Sequence, residues 1–131
     1  MRYLLDTGVL LWFTSTPNRL NRRVAGILYR RRDEIFLSAA SSWEIATKVA
    51  SGKLKLPTFT SEFIRDWMIN LALRPLDITH RHALAVGELP TIHHDPFDRV
   101  LIAQAHVEGL TLLTADPVFE PYRVRFLWSG R

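Results

Sequence analysis

An α/β fold, laid out as a three-layer α/β/α sandwich around a mainly parallel central sheet, is what this sequence predicts. Three observations lead there. Tyr3-Leu4-Leu5, Ile35-Phe36-Leu37-Ser38 and Leu110-Thr111-Leu112-Leu113-Thr114 are short apolar runs with the length and composition of buried strands. Longer stretches with apolar residues at helical spacing separate them, as crossovers between parallel strands require. The 131 residues, 47% hydrophobic, carry enough apolar surface for one core. The chain is therefore predicted as a single domain over residues 1–131.

The elements follow in order. Tyr3 to Leu5 is the first strand, and Thr7 to about Phe13 a short helix closed by Thr14-Ser15-Thr16-Pro17, because the residue before proline avoids helical backbone. Asn18 or Asn21 can cap a second helix running to Arg31, with Leu20, Val24, Ile27 and Leu28 on one face. Ile35 to Ser38 is a strand. Ser41 or Ser42 starts a helix to about Ala50, and Gly52 stands where a left-handed cap is expected. Lys53 to Pro57 connects to a helix over Thr60 to Asn70, whose Phe63, Trp67 and Leu71 share a face. Leu73 to Ile78 contains a short strand; Pro75 assigns it to an edge, since proline cannot donate to a ladder. Thr79 to Glu88 is a helix, Leu89 to Asp95 a loop, and Asp98 to Glu108 a helix stopped by Gly109. Leu110 to Thr114 and Val124 to Leu127 are the last strands.

Composition excludes several classes. Without cysteine there is no disulfide and no thiolate metal site. No apolar stretch approaches the ~20 residues of a membrane span, and Asp6 arrives too early for a secretory leader. A cytoplasmic location is expected. Charge is uneven: through Arg32 there are seven arginines and one acid, whereas the remainder holds ten basic and twelve acidic residues. A basic N-terminal third suits a polyanionic partner, although Arg30-Arg31-Arg32 also complements a helix C-terminus.

Four acidic residues carry most of the functional information: Asp6, Glu44, Asp98 and Asp116. Three lie just beyond apolar runs, and Asp98 opens a helix. In parallel sheets ligands bind outside the carboxyl ends of the strands, so these carboxylates are expected to converge. Gathered carboxylates repel one another unless a cation lies between them, and an all-oxygen set selects Mg²⁺ or Mn²⁺ over zinc. Each acid has a structural alternative. Ser41-Ser42-Trp43-Glu44 fits a capping box; Asp95 suits an N-cap with Pro96 behind it and Asp98 in the first turn; Asp116-Pro117 repeats that start; Asp6 can cap its own helix. Capping does not explain why three of four sit at strand ends.

Leu4-Leu5-Asp6-Thr7, Ser38 to Ala46, His94-Asp95-Pro96-Phe97-Asp98-Arg99 with Ile102 to Ala105, and Leu113-Thr114-Ala115-Asp116 together resemble the PIN-domain family, and within it the VapC-type toxins of bacterial toxin–antitoxin pairs. The resemblance runs from Met1 to the final strand. It implies a PIN-like sandwich and a Mg²⁺- or Mn²⁺-dependent endoribonuclease, usually dimeric and inhibited by a cognate VapB-type antitoxin. The family's catalytic, metal-holding acids carry over onto Asp6, Glu44, Asp98 and Asp116. A tRNA or an rRNA loop is the substrate implied, with cleavage leaving a 3′-hydroxyl and a 5′-phosphate. Position 8 departs from close relatives, which often carry His there; Gly8 offers backbone freedom at the strand-to-helix turn. Glu120, Thr7, Thr114 and Asp95 are candidate accessories.

Other readings compete. Asp6-Thr7-Gly8 resembles the start of aspartate-nucleophile phosphatases, but these need a second acid where Gly8 stands. A DNA-directed metal nuclease would use the same acids. A non-catalytic RNA- or protein-binding module would use the N-terminal arginine face instead. His80, His82, His93, His94 and His106 lack the spacing of a tetrahedral zinc set, although His93-His94 lies near the proposed site. Trp12 and Phe13 are adjacent on a helix and cannot share a face, so one is expected to be exposed, as a docking or base-stacking group.

Overall fold

The structure, a computed structural model, describes residues 1–131. Its five strands are β1 (Arg2–Leu5), β2 (Glu34–Ser38), β3 (Arg74–Leu76), β4 (Thr111–Thr114) and β5 (Phe126–Trp128). They form one sheet in the order β3-β2-β1-β4-β5, and every pairing is parallel. The expectation of a mainly parallel sheet is met without an antiparallel strand. Six α-helices surround it: α1 (Thr7–Ser15), α2 (Arg22–Arg30), α3 (Ala39–Ala50), α4 (Thr60–Asn70), α5 (His80–Val86) and α6 (Pro96–Glu108), with 3-10 turns at Pro17–Arg19 and Pro117–Tyr122.

Alternation along the strands divides the core in two. Tyr3, Leu5, Ile35, Leu37 and Leu113 face one side, where they pack with Val9, Leu10 and Phe13 of α1, Val24, Ile27 and Leu28 of α2, and Ile45 of α3. Leu4 and Leu112 face the other side and meet Leu101, Ile102 and Ala105 of α6, with Phe119, Tyr122 and Val124. Successive strand residues point to opposite faces, so a sheet covered on both sides reads as continuous apolar runs. This is the three-layer sandwich.

Strand order decides where the site lies. The chain builds outward from β1 to β2 and β3, then returns to place β4 on the other side of β1. The crevice at such a reversal opens at the strands' carboxyl ends. Leu5 pairs with Leu113, and the Asp6 N–H donates to the Leu113 carbonyl at 3.0 Å. Residues more than a hundred apart in sequence thus stand side by side.

Several boundaries differ from expectation for local reasons. Helix α1 runs to Ser15 rather than Phe13, with the Thr14 and Ser15 hydroxyls bonded back to the Leu11 carbonyl at 3.0 and 2.7 Å. Asn21, not Asn18, caps α2 by accepting from the Val24 N–H at 2.9 Å. Helix α3 begins three residues early because Ser38 caps it, accepting from the Ala40 N–H at 3.0 Å. The capping box expected at Ser41 and Glu44 does not form. Strand β5 is displaced from 124–127 to Phe126–Trp128, with Arg123 turning the chain at φ 56° and Val124 buried in the second core. Gly52, at φ 77°, supplies the left-handed residue expected after α3.

Candidate metal centre

The four predicted acids line one cleft of about 380 Å³, together with Thr7, Trp12 and Lys48. Each arrives from a different element. Asp6 follows β1, Glu44 is in the second turn of α3, Asp98 in the first turn of α6, and Asp116 opens the turn after β4.

Asp6 occupies the N-cap position of α1, yet its side chain does not cap. It is 7% exposed, and its carboxylate accepts from the Thr114 hydroxyl at 2.8 Å. That hydroxyl in turn accepts from the Asp116 N–H at 3.0 Å. Thr114, anticipated as an accessory, therefore joins two of the acid-bearing turns. Burial pushes the Asp6 carboxyl up to about 6; the Thr114 hydrogen bond opposes the shift, and the charges of Glu44 and Asp116 add to it. Thr7, anticipated to orient a carboxylate, instead donates to the Ser41 hydroxyl at 2.8 Å and ties α1 to α3.

Asp98 is the most perturbed group. Burial, reinforced by Asp95, Asp6, Glu44 and Asp116, pushes its carboxyl up to about 8. His93 stands behind it, Nε2 3.4 Å from Oδ2 but not aligned for a hydrogen bond. His93 Nδ1 and its backbone N–H both engage the Tyr122 hydroxyl, which fixes the ring. Asp95 accepts from the N–H groups of Phe97 and Asp98 at 2.9 and 3.1 Å, so it is the expected N-cap. Asp116 also caps, accepting from the Val118 N–H at 3.0 Å. Capping and lining the cleft are compatible roles for it. Arg99 points away from the acids and braces the loop before α6, donating to the carbonyls of Pro90 and Val86 at 2.9 and 3.2 Å.

Glu44 is 6% exposed and is paired with Lys48, one turn along α3, at 2.7 Å. The hydrogen bond to Glu44 raises the Lys48 ammonium, against the opposing pull of burial, and the charges of Glu44, Asp95 and Asp98 add to the rise. Lys48 was not singled out from the sequence. The i,i+4 spacing from Glu44 was its available signal.

Two sequence expectations are corrected. Gly8 has no left-handed backbone, and a Cβ there would lie 3.9 Å from the Asp6 carboxylate, an ordinary contact. Neither freedom nor space requires glycine at that position. Glu120 is exposed and does not line the cleft, so it is no accessory to the four acids. The histidines do not assemble, and no three His, Asp or Glu side chains stand arranged as a finished ligand set. The donors nonetheless fit a hard divalent cation. They are all oxygen, they share one cleft, and burial, reinforced by mutual repulsion, raises the carboxyls of two of them, which a cation would reverse.

The family model of the PIN domain matches residues 3–124. A Mycobacterium tuberculosis protein, Ribonuclease VapC22, is 28% identical over 123 residues, covering 92% of this chain and 91% of its own. Ribonuclease VapC16 of the same organism is 41% identical over 51 residues, 39% of this chain and 36% of its own. Among solved structures, the crystal structure of VapBC2 from Rickettsia felis, bound to a DNA fragment from their promoter, superposes with a TM-score of 0.77 at 17% identity. It covers 99% of this chain and 100% of that one. FitAcB from Neisseria gonorrhoeae superposes with a TM-score of 0.68 at 22% identity, covering 95% and 96%. At these identities the superpositions establish the fold, and the family model establishes the lineage: the chain belongs to the PIN-domain family.

Proposed function

We propose that this chain is a Mg²⁺- or Mn²⁺-dependent endoribonuclease of the VapC kind, the toxin of a toxin–antitoxin pair. The single observation that carries the reading is the convergence of Asp6, Glu44, Asp98 and Asp116 from four separate elements onto one cleft. A ribonuclease named VapC22 among the full-length relatives supports RNA as substrate. VapBC complexes among the structural neighbours support a VapB-type antitoxin as partner. A homodimer, a cytoplasmic setting and a tRNA or rRNA loop as target belong to the same proposal. No helix is long and apolar enough to cross a membrane.

Asp6, Asp98 and Asp116 would hold the cation, with Glu44 at its edge. When bound, a divalent cation lowers the pKa of a water and screens the charge on a scissile phosphate. The chain's own contributions follow from its contacts. The Thr114 hydroxyl fixes the Asp6 carboxylate and the turn bearing Asp116. His93 backs Asp98. Lys48 pairs with Glu44 and turns a positive charge toward an incoming polyanion. Hydrolysis would leave a 3′-hydroxyl and a 5′-phosphate.

The test is cleavage of total RNA by antitoxin-free, chelator-stripped protein, wild type against Asp98→Asn, with and without Mg²⁺ or Mn²⁺. Discrete fragments requiring both the metal and Asp98 are expected. Cleavage by Asp98→Asn at the wild-type rate would refute the scheme.

A further inference from the structure

A second groove, of about 410 Å³, opens beside the acidic cleft and shares Trp12 and Ala115 with it. Its chemistry is the opposite. Trp12 and Trp128 line it with Arg19 and Arg131, and no acidic side chain does. Trp128 is 40% exposed, and the Arg19 guanidinium lies over the Trp12 ring, 5.2 Å from its centroid. Trp12 is partly buried against the first core cluster, but Trp128, left open to water beside two arginines, is not explained by the core.

The groove is also held in place by contacts that join distant parts of the chain. Asn21 caps α2 with its side-chain oxygen and, with its side-chain nitrogen, donates to the carbonyls of Trp128 and Gly130 at 2.7 and 3.2 Å. The Asn21 N–H donates to the Ser129 carbonyl at 2.9 Å, and the Arg131 N–H to the Arg19 carbonyl at 3.2 Å. Gly130 admits the Trp128 indole closely: a Cβ there would stand 3.3 Å from its Nε1. These contacts fix Trp128 opposite the Trp12–Arg19 pair.

We propose that this groove is a nucleotide subsite for single-stranded RNA, in which Trp128 stacks an unpaired base beside the Trp12–Arg19 pair and Arg19 holds an adjacent phosphate, so that the strand leads into the acidic cleft. The inference rests on the ribonuclease reading above and adds to it where the strand lies. Aromatic faces accept any base and arginines track the backbone, which is how single strands are bound without a sequence code. Continuity through Trp12 places the subsite one step from the carboxylates. A duplex, whose bases are already stacked on one another, offers this pair no free face.

The experiment measures binding of a fluorescent oligoribonucleotide to the full chain. An Asp98→Asn background prevents cleavage, and the same strand annealed into a duplex is the control. Trp128→Ala and, separately, Arg19→Gln are each expected to weaken single-strand binding about tenfold, within the range of one lost base stack or phosphate contact. Trp128→Phe should recover most of the loss. Arg19 is exposed, so its variant tests the groove even if Trp128→Ala folds poorly. In the otherwise wild-type protein the same changes should raise KM while leaving kcat within about twofold.

Unchanged single-strand affinity in both Trp128→Ala and Arg19→Gln overturns the subsite. So does an equal loss on the duplex, or a loss of antitoxin binding with RNA affinity intact. Failure of the ribonuclease reading looks different: no RNA is cut under any metal, while oligonucleotide binding still depends on Trp128 and Arg19.

Discussion

The two edges of the sheet are built on opposite electrostatic rules. At the edge where β1, β2 and β3 begin, charges alternate and pair. The Met1 amino group lies 3.3 Å from Asp33, and Glu34 sits between Arg2 at 3.2 Å and Arg74 at 3.3 Å. At the edge where β1 and β4 end, like charges collect, with Lys48 as the one lysine among four acids. The first arrangement is solvent-accessible, sets three cations against two acids and is nearly free of cost. The second raises two carboxyls far above their ordinary range, and only a well-filled core can carry that penalty. Strands of one sheet thus carry paired charge at one end and gathered like charge at the other.

The sharpest way to break the contrast is at the acidic edge. Asp98→Asn should lower metal-dependent RNA cleavage by roughly 100-fold or more, since it removes charge where the cation would sit; a fragment assay over time reads this directly. The second effect is on stability. Asp6 and Asp98 hold protons in the folded state that the unfolded chain releases, so in metal-free protein their contribution to stability should be full below about pH 4. That contribution should be lost as pH rises through about 6 and then about 8. The loss should be on the order of 3 kcal/mol, less than two independent shifts would give because the groups are coupled. Urea unfolding of chelator-treated protein across this range checks it. Asp98→Asn should flatten the upper limb, and added Mn²⁺ should restore the wild type; a wild-type profile that rises with pH would contradict the assignment.

Smaller effects sharpen the comparison. Lys48→Gln removes the cation beside Glu44 and should tighten Mn²⁺ binding about fivefold, a modest change because the lysine is partly solvent-screened. Calorimetric titration that finds weaker binding would mean that Lys48 supports the site by packing rather than by charge. At the opposite edge, Glu34→Gln should cost less than about 1 kcal/mol and leave cleavage unchanged. A large loss there would erase the distinction between the edges.

The sequence made the fold and the acids legible for the same reason. Short apolar runs ending in Asp6 and Asp116 encode both buried parallel strands and the layer to which their carboxylates are delivered. Less legible were features that depend on a helix's true start or on distant neighbours. Ser38 and Ser41 are equally good caps in one dimension; burial of Ser38 at the end of β2 selects it, which removes Glu44 from its capping role and turns it into the cleft. The Lys48 pair needs that same helix phase. The placing of Trp128 in one groove with Trp12 depends on strand order, which no local pattern contains. Gly8 misled because glycine at a turn suggests positive φ, whereas α1 has already begun there.

The Thr114 hydroxyl reaches Asp6 across 108 positions of sequence. During synthesis the first carboxylate emerges early and the strand that fixes it emerges late, so a ribosome carries a growing chain with no complete cleft for most of translation. The cleft is assembled only once β4 has paired with β1, when the chain is nearly finished.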